Sequence, residues 1–232
     1  MIKIYIVGLL VLINCSSIPK KQLLQVENVP KEKVNETIVS VLNSGMSKSF
    51  EKNVKSEIDI NDKVLKIEEL KINNNTNYEV YKVKTEVGKE YSLELYSKCD
   101  CFGFTKTMML PLVITADVKG NLIKSFLEVY EERDVTWALP LHLYYKWKIT
   151  ATDNLLYIIV GADNSYVGEK ILKNVYLPVS VSLAAINIGL SRALLMTNYP
   201  FFASPFGKYE MTFNEYNDKE KNNNRIKIKA IN

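Results

Sequence analysis

The chain has 232 residues, with 30 Lys and Arg against 26 Asp and Glu, and a formal charge of only +4. That balance excludes the continuous basic stripe that nucleic-acid binding needs, and the lysines of 219–229 are broken up by Glu220 and a run of asparagines. A single histidine and three cysteines leave little material for a metal centre or for histidine-based catalysis.

The first fifteen residues combine Lys3, an apolar run from Ile4 to Ile13, and Cys15. The run is about half of the roughly 20 apolar residues that a membrane-spanning helix needs, so it predicts a signal peptide over 1–14. This layout resembles the bacterial lipoprotein signal, in which cleavage exposes a cysteine that is then acylated. Asn14 stands where such signals usually carry Gly, Ala or Ser, and Ser16 and Ser17 follow the cysteine. The resemblance implies lipid attachment at Cys15 and a membrane partner engaged through that N-terminal lipid. It also implies a body in the bacterial cell envelope, periplasmic or surface-exposed.

Residues 15–29 are polar and read as a flexible, lipid-anchored tether. Pro30 then opens a predicted helix over 31–43, with Val34, Ile38, Val41 and Leu42 on one face, and Gly45 ends it. Alternation takes over beyond that point. Short strands are expected around Asn61-Asp62, over Tyr78–Lys84, and over Tyr91–Ser97 after the Gly88-Lys89 turn. Met108–Thr115 is almost wholly apolar and reads as a central strand. Asp117–Asn121 is a turn from which Leu122–Tyr130 returns, and Leu143–Thr150 and Leu155–Val160 flank Thr152-Asp153-Asn154. Strands at this spacing predict a mainly β, antiparallel β-sandwich forming one domain over 30–217, with 218–232 a polar tail or edge strand.

From Val87 to Phe213 the order of elements is also similar to that of the maltose operon periplasmic protein family, whose members are exported and β-rich. The likeness rests on Leu110–Asp117, Leu155–Asp163, Ser204-Pro205-Phe206-Gly207 and the strand Lys208–Phe213. It carries no residue roles. One departure is the apolar stretch Val175–Met196, where Pro178, Asn187, Gly189 and Arg192 argue against a membrane span. A strand followed by a short core helix over 183–195 is expected there.

Catalytic chemistry finds little support. Cys99-Asp100-Cys101 leaves three readings open: a disulfide, two partly buried thiols, or a metal set completed by His142 and Asp100. His142 lies in an alternating strand, and no serine sits in a nucleophile elbow. The acidic cluster Glu128, Glu131, Glu132 and Asp134 is expected at a solvated strand end. No cofactor, metal or catalytic residue is assigned. The candidate ligand contacts are aromatic: Trp137, Tyr145, Trp147 and Phe201, with Tyr145 and Trp147 on one strand face. The expectation is a non-catalytic envelope lipoprotein that binds a small ligand, a carbohydrate or an envelope protein. The alternatives are a carbohydrate-handling accessory or enzyme, and a structural or adhesive surface protein.

Overall fold

The computed structural model describes residues 17–44, 47–61, 63–100, 106–133, 142–171, 175–176, 196–197 and 201–217. The signal peptide expected over 1–14, Cys15, Trp137, Asp134, the helix expected over 183–195 and the tail expected from 218 lie outside them.

Two helices precede or accompany the early strands: α1 (Ser17–Glu27) and α2 (Ile38–Asn43). The first strands are β1 (Val34–Asn35), β2 (Ser47–Ser49), β3 (Asn53–Ile58), β4 (Val64–Leu65), β5 (Thr76–Lys84) and β6 (Glu90–Lys98). There follow β7 (Lys106–Met109), β8 (Pro111–Ala116), β9 (Ser125–Arg133), β10 (His142–Thr150) and β11 (Leu155–Ala162). The last are β12 (Lys170–Ile171), β13 (Val175–Tyr176), β14 (Met196–Thr197), β15 (Phe201–Ser204) and β16 (Gly207–Glu215).

The protein is mainly β and sandwich-like. One sheet runs β1-β4-β5-β11-β8, with β2 also on β5; the other runs β3-β16-β6-β10-β9. Most pairings are antiparallel, while β1 with β4, β2 with β5 and β7 with β15 are parallel. A small sheet, β12-β15-β7, and a β13-β14 pair complete the described strands.

Side-chain alternation explains the layers. In β6, Tyr91, Leu93 and Leu95 face inward, while Glu94, Tyr96 and Lys98 line the outer face. Strands β5 and β11 are apolar on both faces because both are covered. Tyr81, Val83, Leu156, Ile158 and Val160 fill the space between the two sheets. Tyr78, Val80 and Ile159 point the other way, onto Ile38 and Val41 of α2. Helix α2 starts at a capping box in which Ser40 N–H donates to Thr37 Oγ1 at 3.1 Å and Thr37 N–H donates to Ser40 Oγ at 3.2 Å.

Three local expectations change. The helix expected over 31–43 begins only at Ile38, because Val34 and Asn35 are taken into a parallel pairing with β4. The polar stretch expected to be a flexible tether is helical over Ser17–Glu27 and packs on the body, with Val26 buried against it. The apolar run Met108–Thr115 is divided between β7 and the edge strand β8. The break falls at Leu110-Pro111, where proline has no N–H to give a ladder.

Candidate functional site

The strand ends of both sheets meet at one pole in a cleft of about 530 Å³. Its floor is aromatic. Tyr91 opens β6, and Phe213 lies near the end of β16; their rings stack at 4.9 Å with an interplanar angle of 11°. Phe50 approaches Phe213 edge-on at 6.1 Å and Tyr81 at 5.8 Å. Two hydrogen bonds fix this arrangement. Phe50 N–H donates to Lys82 O at 2.9 Å, pinning the segment after β2 to β5, and Glu86 N–H donates to the Tyr91 hydroxyl at 2.9 Å. Glu51, Lys52, Lys84, Asn214 and Glu215 form a rim of mixed charge. Lys89 holds Glu215 at 3.3 Å and Glu86 at 2.8 Å, so part of that rim is ion-paired.

Stacked rings ringed by donors and acceptors suit a ligand with one apolar face and polar edges. The groove of about 430 Å³ beside β8, lined by Leu70, Ile72, Leu112 and Leu122 with Lys124 and Ser125 at its edge, has no aromatic floor. The polar hollow of about 110 Å³ near Asn74, Asp163 and Asn164 has no aromatic wall.

Behind the cleft floor the two sheets are joined by a polar clasp. Glu79 of β5 turns its carboxylate toward β3 and β16, and one oxygen accepts from Ser56 Oγ at 2.7 Å and from the Tyr209 hydroxyl at 2.7 Å. Tyr81 donates to that same oxygen, and Lys48 pairs with the other. Burial alone would raise the Glu79 pKa. The hydrogen bonds from Lys48, Tyr81, Tyr209 and Ser56 outweigh it and hold the carboxyl below its ordinary value. Burial first, and the Glu79 carboxylate with it, pushes both phenols well above the usual tyrosine range. Nothing in the sequence pattern marks Glu79 beyond an acidic residue on an otherwise apolar strand face, which is the one signal that could have found it.

The candidates read from the sequence lie elsewhere. Tyr145 and Trp147 do share the inner face of β10, with rings stacked at 5.4 Å and 7°. Both pack on the inter-sheet core, and Tyr145 also reaches the cluster of Met108, Leu143 and Phe201, in which Phe201 is 1 % exposed. The structure therefore brings Tyr145, Trp147 and Phe201 into one neighbourhood, and that neighbourhood faces inward. Burial, then the charge of Asp163, raises the Tyr145 pKa and keeps the phenol neutral.

Cys99 is disulfide-bonded; with three cysteines in the chain, its partner is Cys15 or Cys101, both outside the described residues. It is then no thiolate ligand for a metal shared with His142, whose ring lies 5.5 Å from Tyr96 on the outer face. Among the described residues no group of three His, Cys, Asp or Glu side chains is placed to hold a metal ion. Glu128 accepts from the Tyr216 hydroxyl at 2.7 Å, and Glu131 and Glu132 stand opposite Tyr144 and Leu143 in the β9–β10 ladder. Among the described residues no helix is long and apolar enough to cross a membrane. No protein-family profile, characterised protein or solved structure matches this chain at a significant level.

Proposed function

We propose that this chain is a non-catalytic, lipid-anchored envelope protein that binds a saccharide ring in the cleft formed by Phe50, Tyr91 and Phe213. The observation that carries the ligand reading is the stacked aromatic floor inside a rim of mixed charge. A pyranose presents C–H groups on one face and hydroxyls around its edge, which matches rings below and Glu51, Lys52, Asn214 and Glu215 around them. The anchor reading rests on the leader and Cys15, and it requires the Cys15 sulfur for thioether attachment. Cys101 is then the disulfide partner of Cys99.

The test is a glycan array carrying neutral, amino and acidic oligosaccharides, with hits followed by calorimetry. Binding that weakens at least about tenfold in Phe213→Ala, a loss on the order of 1.4 kcal/mol, supports the cleft. Absence of any hit, or hits indifferent to Phe213→Ala and Lys52→Ala, overturns it. Loss on Trp147→Ala with the cleft variants unchanged would move the site to the β10 aromatics instead.

A further inference from the structure

The segment following Cys15 does not hang free of the body. Helix α1 is described from Ser17, two residues beyond the cysteine, and two residues can span at most about 7 Å. The helix is fastened along its length. Pro19 and Val26 are buried, and the Lys20 stem lies flat on the turn after β11, so that a Cβ on Gly168 would come within 2.8 Å of it. At the other end of the helix, Asn75 N–H donates to Glu27 Oε1 at 2.9 Å and Asn75 Nδ2 donates to Val26 O at 3.2 Å. Asn75 is itself held, since Asn164 Nδ2 donates to its carbonyl at 2.6 Å. The helix thus belongs to the pole where β5 starts and β11 ends.

The exposed residues at that pole suit a bilayer interface. Ile18 is 44 % exposed on α1, Tyr166 is 48 % exposed in the adjacent turn, and the exposed Lys20 and Lys21 follow Ile18 along the helix. Lysine, tyrosine and an aliphatic side chain together fit the headgroup region of a phospholipid surface. The cleft lies at the far end of the same strands. Strand β5 has nine residues, about 27 Å from Thr76 at the helix pole to Lys84 at the cleft.

We propose that the α1 pole of the sandwich sits directly on the phospholipid surface that holds Cys15, with the Phe50–Tyr91–Phe213 cleft facing away from the membrane. This rests on the lipid-anchor reading above, and the orientation follows from the docked helix. The anchor therefore sets a direction as well as an address.

The experiment uses the full-length, membrane-inserted protein in vesicles of phosphatidylethanolamine and phosphatidylglycerol. The photocrosslinker p-benzoylphenylalanine is placed at Tyr166 and, in a separate protein, at Val87 in the turn before β6 at the cleft pole. Roughly tenfold more lipid adduct at position 166 than at 87 is expected. A flexible Gly-Ser insert of about twelve residues between Ser16 and Ser17 should abolish the difference. Mass spectrometry of the same samples reports acylation of Cys15. Acylated protein with equal lipid adducts at both positions overturns the orientation while the anchor stands. Unacylated Cys15 removes both.

Discussion

The hydroxyl of Tyr209 in β16 stands 2.7 Å from the hydroxyl of Tyr81 in β5, and both phenols also donate to one oxygen of Glu79. Three oxygens thus form a closed triangle holding two phenol protons when the carboxylate is ionised. Tyr81 and Glu79 belong to one sheet and Tyr209 to the other, so the triangle crosses the sandwich. Around it the interior is apolar, with Ile58, Leu95 and Met211 fully buried. The part-buried carboxylate stays ionised because three hydroxyls and the Lys48 ammonium converge on it.

Glu79→Gln should therefore destabilise the fold by about 1–3 kcal/mol, since an amide satisfies fewer of the converging donors. Tyr209→Phe should cost about 1 kcal/mol, and the double variant should cost measurably less than the sum. Urea denaturation of the four proteins in the cycle reads this out. Strict additivity would show that the three groups do not act as a unit.

The pH dependence has a defined sign at each end. Glu79 has a folded-state pKa below its ordinary 4.5, so its contribution is present above that value and is lost as pH falls through the depressed pKa. Tyr81 and Tyr209 have raised pKa values, so their contribution is complete below about 10 and fades at higher pH as the unfolded phenols ionise. Melting temperature against pH should fall at both extremes. The acid limb should flatten in Glu79→Gln, and an unchanged limb would assign acid sensitivity to other carboxylates.

Gly161 of β11 stands opposite Tyr78 of β5. A Cβ there would fall 2.8 Å from Thr76 Cγ2 and 3.0 Å from Asn77 O, and the second contact is backbone. Gly161→Ala should cost about 1–3 kcal/mol through forced separation of the strands. By contrast, Gly88 has φ +82° with open space around it, so Gly88→Asn should be far milder. Thermal melts of the two variants test whether crowding or backbone freedom decides the outcome.

The proposed lipid anchor at Cys15 makes a separate prediction. Cys15→Ser should abolish labelling by radioactive palmitate and release the protein from the membrane fraction. Asn14→Gly should speed conversion of precursor to mature chain in a pulse–chase, because it restores a small residue before the cysteine. Non-reducing peptide mapping should then find Cys99 joined to Cys101. A Cys99–Cys15 bridge would be incompatible with acylation through that sulfur.

The β-sandwich is legible in the sequence because alternation is a local signal. Tyr91, Leu93 and Leu95 announce a half-buried strand without reference to anything distant. At Leu110-Pro111 one apolar run spans two strands in different sheets, a division that hydrophobicity does not report. Ser17–Glu27 is polar, and polarity alone predicts a tether there. What fixes that helix is a pair of hydrogen bonds to Asn75, far along the chain. The cleft escaped notice for a similar reason. Phe50, Tyr91 and Phe213 are separated by most of the protein and meet only through strand register, whereas the more conspicuous Tyr145 and Trp147 are neighbours on one strand that turns them inward.

Strand order also sets a timetable. β16 pairs with β3 through Gly207–Thr212 and with β6 through Tyr209–Glu215, so the last described strand occupies an interior place in its sheet. Until it is synthesised, β3 and β6 each present an unpaired edge, and Tyr209 is missing from the Glu79 triangle. Ribosome-bound chains truncated before Gly207 should therefore remain sensitive to protease. A polypeptide that cannot close before its last described strand arrives keeps its inner faces open to solvent for nearly the whole of its synthesis up to Gly207.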